Sequence, residues 1–227
     1  MKKKRQKAIS VLLVLALLMP IAGGPVRSTA QEVPDMRDVS SGDWFYRYVV
    51  DSFPYGLTVG TRTDEFRFEP NRPITRAEFV TMLGRLYEYG EDNTIAIPAD
   101  DTFYGRYLAW AAGHNMISGD GSGNLMPHTP VTREQMAVII DRYIRIFELR
   151  EAFTFEVPGS WHSPADHGTI SEWARSAVLH IRNYRLLSGN FGEWWYFRPQ
   201  ETTSRAEALA IFVRMCRVIY EGEFPIQ

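Results

Sequence analysis

The stretch Pro73-Ile74-Thr75-Arg76-Ala77-Glu78-Phe79 decides the fold, because it predicts the start of a helix and recurs twice further along the chain. Ser or Thr followed three residues later by Glu or Gln is a capping box. The hydroxyl accepts from the amide of the third helical residue, N3, whose side chain accepts from the N-cap amide. The three capping boxes are Thr75/Glu78, Thr132/Gln135 and Ser204/Glu207. They predict three helices with the same start.

A wider frame of residues surrounds each capping box, and most of its spacings are the same in all three copies. A proline lies six residues before the arginine of the motif, and an apolar or aromatic residue lies two before that proline. A glycine lies further upstream, and an aromatic residue lies sixteen residues before it. In chain order, the motif arginines are Arg76, Arg133 and Arg205; the prolines are Pro70, Pro127 and Pro199; the residues before them are Phe68, Leu125 and Phe197; the aligned glycines are Gly60, Gly119 and Gly189; and the aligned aromatics are Trp44, Phe103 and Trp173. Such shared offsets identify three copies of one unit.

Each unit is predicted to contain two helices. After the motif arginine, apolar residues at offsets +3, +6, +7 and +10 give one helical face in every copy. Before the aligned glycine, residues 173–181 show a similar helical spacing, with the aromatic on the apolar side. Gly56 and Asn115 align where this first helix ends, and both suit a left-handed residue. Arg185 occupies that place in the third copy, so we expect its helix to end differently.

The fold is therefore predicted to be all-α, with repeat units at residues 35–90, 97–150 and 157–221. A single helix pair cannot bury both its apolar faces, so the three units are expected to share one core. Cys216 lies in the apolar pattern of the last helix and is predicted to be a buried structural residue.

Residues 1–30 are expected to be a secretory signal peptide. A basic segment with Lys2, Lys3, Lys4, Arg5 and Lys7 precedes an apolar run, and Ser28-Thr29-Ala30 suits a cleavage site. Six of the 25 basic residues lie in this segment, so the remainder carries 19 basic and 27 acidic residues, a net charge of −8. This charge argues against binding to nucleic acid, and no membrane span is expected after cleavage. Any anion must therefore bind at a local site of positive charge.

The motif arginine is not explained by the capping box. A cation at the first helical position is disfavoured by up to about 1 kcal/mol, because it lies at the positive end of the helix dipole. One hypothesis is an anionic ligand that meets the guanidinium group and the helix N-terminus together. The other is an ion pair with an acid of a neighbouring copy, such as Asp64, Asp120 or Glu193. The sequence leaves both open.

Catalytic motifs are missing from the sequence: there is no G-x-S-x-G, no H-E-x-x-H and no phosphate-binding loop. His162, Asp166 and His167 lie close together, but their spacing fits no metal site well. We therefore expect a protein that is not an enzyme and has no metal and no cofactor.

Several segments resemble the S-layer homology (SLH) domain, a bacterial surface module usually present as three tandem copies. They are "FRFEPNRPITRAEF", "SGDGSGNLMPHTPVTREQM", "TISEWARSAV" and "YFRPQETTSRAEA", and the resemblance covers roughly residues 38–220. It implies three helix-loop-helix repeats in a pseudo-threefold arrangement around a central three-helix bundle. It also implies a secreted, non-covalent anchor at the bacterial cell surface that binds secondary cell-wall polysaccharide, often bearing anionic pyruvyl ketals, in grooves between repeats. S-layer or other surface proteins are further partners that it suggests.

By position, the resemblance assigns the glycan contacts to three sets of residues. They are the motif arginines Arg76, Arg133 and Arg205, the aligned aromatics Trp44, Phe103 and Trp173, and the aligned glycines Gly60, Gly119 and Gly189.

Departures from the family pattern support an alternative, a structural or partner-binding surface protein whose grooves no longer bind glycan. Gln135 replaces the usual Glu, Phe103 the usual Trp, and Thr203 the usual aliphatic residue. Trp194 and Trp195 could stack on a sugar or fill the core, and the tendency of aromatic runs to bury favours the core.

Overall fold

The computed structural model describes residues 36–58, 67–90, 93–147, 149, 152, 163–187 and 195–222. They contain six α-helices: α1, Tyr46–Ser52; α2, Arg76–Tyr89; α3, Gly105–Gly113; α4, Arg133–Ile146; α5, Glu172–Asn183; and α6, Arg205–Cys216. A 3-10 turn, His167–Thr169, precedes α5, and a π-helical turn, Arg217–Glu221, continues α6. No strand occurs in these ranges, so the all-α prediction is confirmed for them. The predicted signal peptide, Gly60, Gly189 and Trp194 lie outside the described residues.

All three predicted capping boxes are present. Each N-cap hydroxyl accepts from the N3 amide, and each N3 side chain accepts from the N-cap amide. Gln135 closes the box of α4 as the two glutamates do, with its Oε1 3.2 Å from the amide nitrogen of Thr132. The predicted starts of α2, α4 and α6 are therefore confirmed.

The predicted apolar face of these helices forms the core. All twelve residues at the predicted offsets are buried, with no more than 8% of any of them exposed. They are Phe79, Met82, Leu83, Leu86, Met136, Ile139, Ile140, Tyr143, Ala208, Ile211, Phe212 and Met215. In α6 every residue except Glu207 is buried, which indicates a helix covered on all sides. Cys216 is a buried free thiol, as predicted, and burial raises its pKa.

The first helix of each unit ends in the same left-handed turn, so the expectation of a different end at Arg185 is wrong. Gly56, Asn115 and Arg185 have φ of +62°, +57° and +55°. At each of these ends the amide of the next residue donates five residues back, and in the third unit Leu186 bonds to the carbonyl of Ile181 at 3.1 Å. Leu186 is fully buried. We infer that this burial offsets the roughly 1–2 kcal/mol that a left-handed conformation costs a residue with a Cβ.

A second repeated arginine, which the motif pattern did not predict, caps these turns. Nine residues after each motif arginine, a guanidinium Nη1 donates to carbonyls of the left-handed turn in the same unit. These residues are Arg85, Arg142 and Arg214, and each lies the same nine residues after its motif arginine. The constant spacing was visible in the sequence, but the residues they bind were not.

Helices pack between units, in cyclic order. Helix α2 packs against α3, α4 against α5, and α6 against α1, while α2 also contacts α6. Just before the capping boxes, three backbone hydrogen bonds form a closed ring: Ile74 N–H to Thr203 O at 2.9 Å, Thr203 N–H to Val131 O at 2.9 Å, and Val131 N–H to Ile74 O at 3.0 Å. One continuous core contains side chains from all three units, which confirms the predicted shared core. The pseudo-threefold arrangement around a central three-helix bundle stays a prediction, and this cyclic pairing supports it.

Candidate functional site

The motif arginines lie where one unit meets the next in cyclic order. We call these places the Arg76 corner, between the first and second units, the Arg133 corner, between the second and third, and the Arg205 corner, between the third and first. Backbone contacts define them, because the amide of each motif arginine donates to a carbonyl of the adjoining unit at 2.9 Å. The acceptors are Thr129, Glu201 and Arg72, respectively.

The helix N-termini at these corners have no free amide among the first three positions. The N1 amides donate as described, and the N2 amides donate to the carbonyls of Pro127, Pro199 and Pro70. The N3 amides are held by the capping hydroxyls. The hypothesis that an anion binds a motif arginine together with the helix N-terminus is therefore wrong in its second part. Any anion must be held by side chains and loop backbone.

Two motif arginines form ion pairs between units. Arg205 Nη1 lies 2.8 Å from Glu78 Oε1, and Arg133 Nη1 lies 2.7 Å from Glu207 Oε1. Their Nε atoms donate to the carbonyls of Phe68 and Phe197, whose rings lie 5.4 and 5.5 Å from the guanidinium carbons. The predicted alternative of an ion pair is thus correct for these two arginines.

The acid in both pairs is the N3 glutamate of the adjoining unit, which the sequence analysis did not name. Of the acids it did name, Asp120 instead accepts from Ser122, while Asp64 and Glu193 lie outside the described residues. The N3 glutamates therefore have two tasks, because each caps its own helix and neutralises an arginine.

Arg76 has different surroundings. The N3 residue of the adjoining unit is the neutral Gln135, and Leu125 stands where the other corners have a phenylalanine. Arg76 Nη2 donates to the carbonyl of Ser118 at 2.6 Å, whereas its buried Nε has no partner among the described residues. Only 9% of the residue is exposed. Burial lowers the pKa of Arg76, and the charge of nearby Arg142 lowers it further.

The aligned aromatics are exposed, against the expectation that they lie on the apolar side of the first helices. Trp44 is 56% exposed, Phe103 60% and Trp173 58%. Trp44 and Phe103 lie just before α1 and α3, and Trp173 lies in the first turn of α5, although the neighbouring Phe45 and Ala174 are buried. Three equivalent aromatic rings therefore present faces to solvent.

Gly119 is the one aligned glycine within the described ranges. A Cβ added there would lie 2.6 Å from the carbonyl oxygen of Asn124, so the loop requires glycine. The preceding carbonyl, Ser118 O, is the one that binds Arg76. A predicted arginine and a predicted glycine thus lie near each other at this corner, but they belong to different units: Arg76 to the first and Gly119 to the second. The sequence alignment could not show this, because it places both within each copy.

The structure describes one residue of the tryptophan run of the third unit, Trp195. Trp195 is buried, with the guanidinium carbon of Arg182 4.8 Å from its ring centroid, so the core prediction is confirmed for it. Tyr196, which the sequence analysis did not single out, is exposed between buried Trp195 and Phe197. The alternation of buried and exposed residues typical of extended chain explains this difference.

Other chemistry is sparse in the ranges described. They hold no group of three His, Cys, Asp or Glu side chains placed to bind a metal, and no helix in them has the length and apolar character to cross a membrane. Asp166, considered above for a metal, instead accepts from the amides of Phe197 and Arg198. Asp38 binds the amides of Phe68 and Glu69 in the same way.

Comparison with known families gives a match to the S-layer homology domain over residues 97–137, within the second unit. The chain contains an SLH domain. Three relatives extend the likeness. The chain is 26% identical to an endoglucanase of Bacillus sp. (strain KSM-635) over 92% of this chain and 22% of that protein. It is 32% identical to an amylopullulanase of Thermoanaerobacterium thermosulfurigenes over 64% of this chain and 8% of that protein. It is 23% identical to S-layer protein EA1 of Bacillus anthracis over 89% of this chain and 22% of that protein.

The chain thus spans no more than 22% of the length of these relatives. SLH domains in general bind cell-wall polysaccharide. The SLH match and the S-layer relative confirm the predicted place of the protein at the bacterial cell surface or cell wall.

Proposed function

We propose that this SLH protein is a non-enzymatic anchor that binds an anionic secondary cell-wall polysaccharide, including one with pyruvyl ketals, in the grooves at the corners between units. The observation that carries the proposal is the exposure of all three aligned aromatics. A large aromatic side chain exposed to water forgoes the free energy of burial, and here it does so at three equivalent places. Stacking on the apolar face of a sugar would recover that energy.

The motif arginines supply the complementary charge. A guanidinium group binds a carboxylate through two parallel hydrogen bonds, as a pyruvyl ketal would require. Because the chain beyond residue 30 carries a net charge of −8, long-range attraction does not bring an anionic polymer to it. Binding therefore depends on these local cations, with backbone at the aligned glycines lining the groove.

A titration of the secreted protein with purified wall polysaccharide tests the proposal. We expect Trp44→Ala, Phe103→Ala and Trp173→Ala, combined, to abolish binding while leaving the protein folded. Tyr89→Ala is the matched control, because Tyr89 is also exposed but lies at the far end of α2, about 20 Å from its capping box. If the triple variant binds as tightly as the parent protein and the control, the aromatics are not the site.

A second function is favoured by the ion pairs at two corners. Arg133 and Arg205 are already neutralised within the protein, as expected of a surface protein that contacts S-layer or other cell-surface proteins instead of glycan. In that case the titration with polysaccharide is flat, and a protein partner from the same cell surface binds with the aromatics intact.

A further inference from the structure

The three corners differ in charge, although their backbones match. At the Arg133 corner, Glu207 neutralises the arginine, and the buried carboxylate of Glu134 bonds to Ser171 and Gln200 close by. At the Arg205 corner, Glu78 bonds to both Arg205 and Arg72. At each of these two corners, a carboxylate therefore bonds to the motif arginine.

The part of the chain that the structure describes places no such carboxylate on Arg76 at its corner. Arg76 makes no ion pair in the described part of the chain, and the charged group that acts on it is a second cation, Arg142. Asp120 lies two residues beyond Ser118, but its carboxylate accepts from the hydroxyl and amide of Ser122. Among the described residues, nothing at this corner neutralises the positive charge of Arg76.

The sequence of the second unit causes this difference. An amide at position 135 accepts from the N-cap amide as a carboxylate does, so Gln135 retains the helix cap while removing the charge. Leu125 removes the aromatic ring that the other two arginines lie against. Arg76 consequently turns to the carbonyl of Ser118, beside Gly119.

The state of Arg76 Nε is a second, independent sign of a missing ligand. A guanidinium group has five N–H donors, and leaving one buried without an acceptor costs roughly 1–3 kcal/mol. In Arg133 and Arg205 the same atom bonds to a carbonyl. Because buried donors are nearly always hydrogen-bonded, this N–H indicates an acceptor that the described residues do not supply.

We propose that the Arg76 corner is the groove that takes the carboxylate of the anionic sugar, and that Gln135 is the residue that selects this groove over the other two. This inference rests on the proposed function for its ligand class. It reduces the candidate anion sites from three to one. The Arg133 and Arg205 corners hold the units together and take no carboxylate, so the remaining glycan contacts come from the aligned aromatics.

Gln135→Glu provides the sharpest test, because it gives Arg76 the carboxylate that the other two arginines have. The variant keeps the capping box, since Glu occupies that place in both other units. The probe is a monosaccharide pyruvyl ketal, with its methyl ester as the uncharged control, and the readout is the NMR signal of each arginine Nε–H. We expect the ketal to move the Arg76 signal and leave those of Arg133 and Arg205 in place.

In the same titration we expect Gln135→Glu to weaken ketal binding by about tenfold to a hundredfold, the range that a hydrogen bond to a charged group is worth. Glu207→Gln is the matched control, and it should leave the affinity of the Arg76 corner unchanged. The inference is overturned if the ketal moves Arg133 or Arg205 instead, if no arginine signal moves, or if Gln135→Glu binds the ketal as tightly as the parent protein.

Failure of the proposed function gives a different pattern. If the wall polysaccharide binds, and this binding depends on the aligned aromatics but not on Gln135→Glu, the anchor function stands and the selected groove is wrong. If the ketal binds at Arg76 while the intact polysaccharide does not bind, the anion site stands and the anchor function is wrong.

Discussion

Arg205 donates from Nη1 to Oε1 of Glu78 at 2.8 Å, although the two residues lie 127 positions apart in the chain. The same carboxylate group accepts from the amide of Thr75, which caps α2, and from Arg72. One side chain therefore fixes the start of a helix and joins the first unit to the third. The capping box gave no structural reason for the motif arginine Arg205, and the structure shows one: it joins two units through Glu78.

Glu78→Gln should lower the free energy of unfolding by about 3 kcal/mol, because it retains the helix cap but leaves the buried charge of Arg205 without its partner. Urea denaturation measures this. Glu201→Gln is the control, since the exposed pair of Glu201 and Arg198 should contribute less than about 1 kcal/mol. Equal losses in the two variants would contradict a special role for Glu78.

Stability should fall in acid because of Glu78. Burial alone would raise the pKa of Glu78, but hydrogen bonds from Arg72 and Thr75 and the charge of Arg205 hold it below its ordinary value of 4.5. A carboxyl group whose pKa is lowered on folding stabilises the protein above the unfolded value, and this contribution is lost as the pH falls through the folded pKa. Unfolding free energies measured at decreasing pH below 4.5 should decline more steeply in the parent protein than in Glu78→Gln. Parallel curves would show that another group is responsible.

Arg214→Ala should destabilise the protein more than Arg85→Ala, although both residues cap a left-handed turn. Arg214 is buried, bonds to Leu186 O and the hydroxyl of Tyr48, and lies 4.8 Å from that ring. We expect a loss of about 2–4 kcal/mol for Arg214→Ala and about 0.5–1 kcal/mol for Arg85→Ala, because Arg85 is only partly buried. Thermal and urea unfolding would measure the difference, and a reversed order would show that burial and the bond to Tyr48 do not decide how much each arginine contributes.

Trp173→Ala and Trp195→Ala should separate binding from stability. Trp173 is exposed, so its loss should change the unfolding free energy by less than about 0.5 kcal/mol while weakening glycan binding. Trp195 is buried, and its removal should cost about 3–5 kcal/mol. Calorimetric unfolding beside a polysaccharide titration tests both. A large loss of stability in Trp173→Ala would assign that ring to the fold.

Gly119→Ala should lower stability by about 1–3 kcal/mol, because the new Cβ would lie 2.6 Å from a backbone oxygen that cannot move without opening the loop. Opening the loop would also shift Ser118 O away from Arg76, so ketal binding should change. Gly113→Ala is the control: no atom lies within 4 Å of its added Cβ, and the change in α3 should stabilise the protein by about 0.5 kcal/mol. The same effect in both variants would show that the close contact between the added Cβ and Asn124 O does not cause the loss.

The sequence predicted features with a local cause. Capping boxes and the apolar faces of α2, α4 and α6 depend on residues a few positions apart, and all were confirmed. The turn at Arg185 was predicted wrongly, since intrinsic preference disfavours a left-handed arginine there and the burial of Leu186 overrides that preference.

The ion pairs could not be predicted, because they join different units. Alignment places Arg205 beside Glu207 of its own copy, whereas in space Arg205 meets Glu78 and Glu207 meets Arg133. The neutral Gln135 was visible as a departure, but its consequence for Arg76 depends on this exchange between neighbours. Glycan contacts by the aligned aromatics and glycines stay a prediction.

The closed ring of hydrogen bonds among Ile74, Val131 and Thr203 has a consequence for how the chain is made. Synthesis proceeds from the N-terminus, so the amide of Ile74 and the carbonyl of Val131 lack their native partner until the third unit has emerged. The first two units alone can form only the bond from Val131 to Ile74, and the two bonds that complete the ring join residues 72 and 129 positions apart, which slows folding. A truncated product that lacks the last unit would therefore leave one donor and one acceptor open beside Ile74 and Val131, two residues that are fully buried in the whole protein.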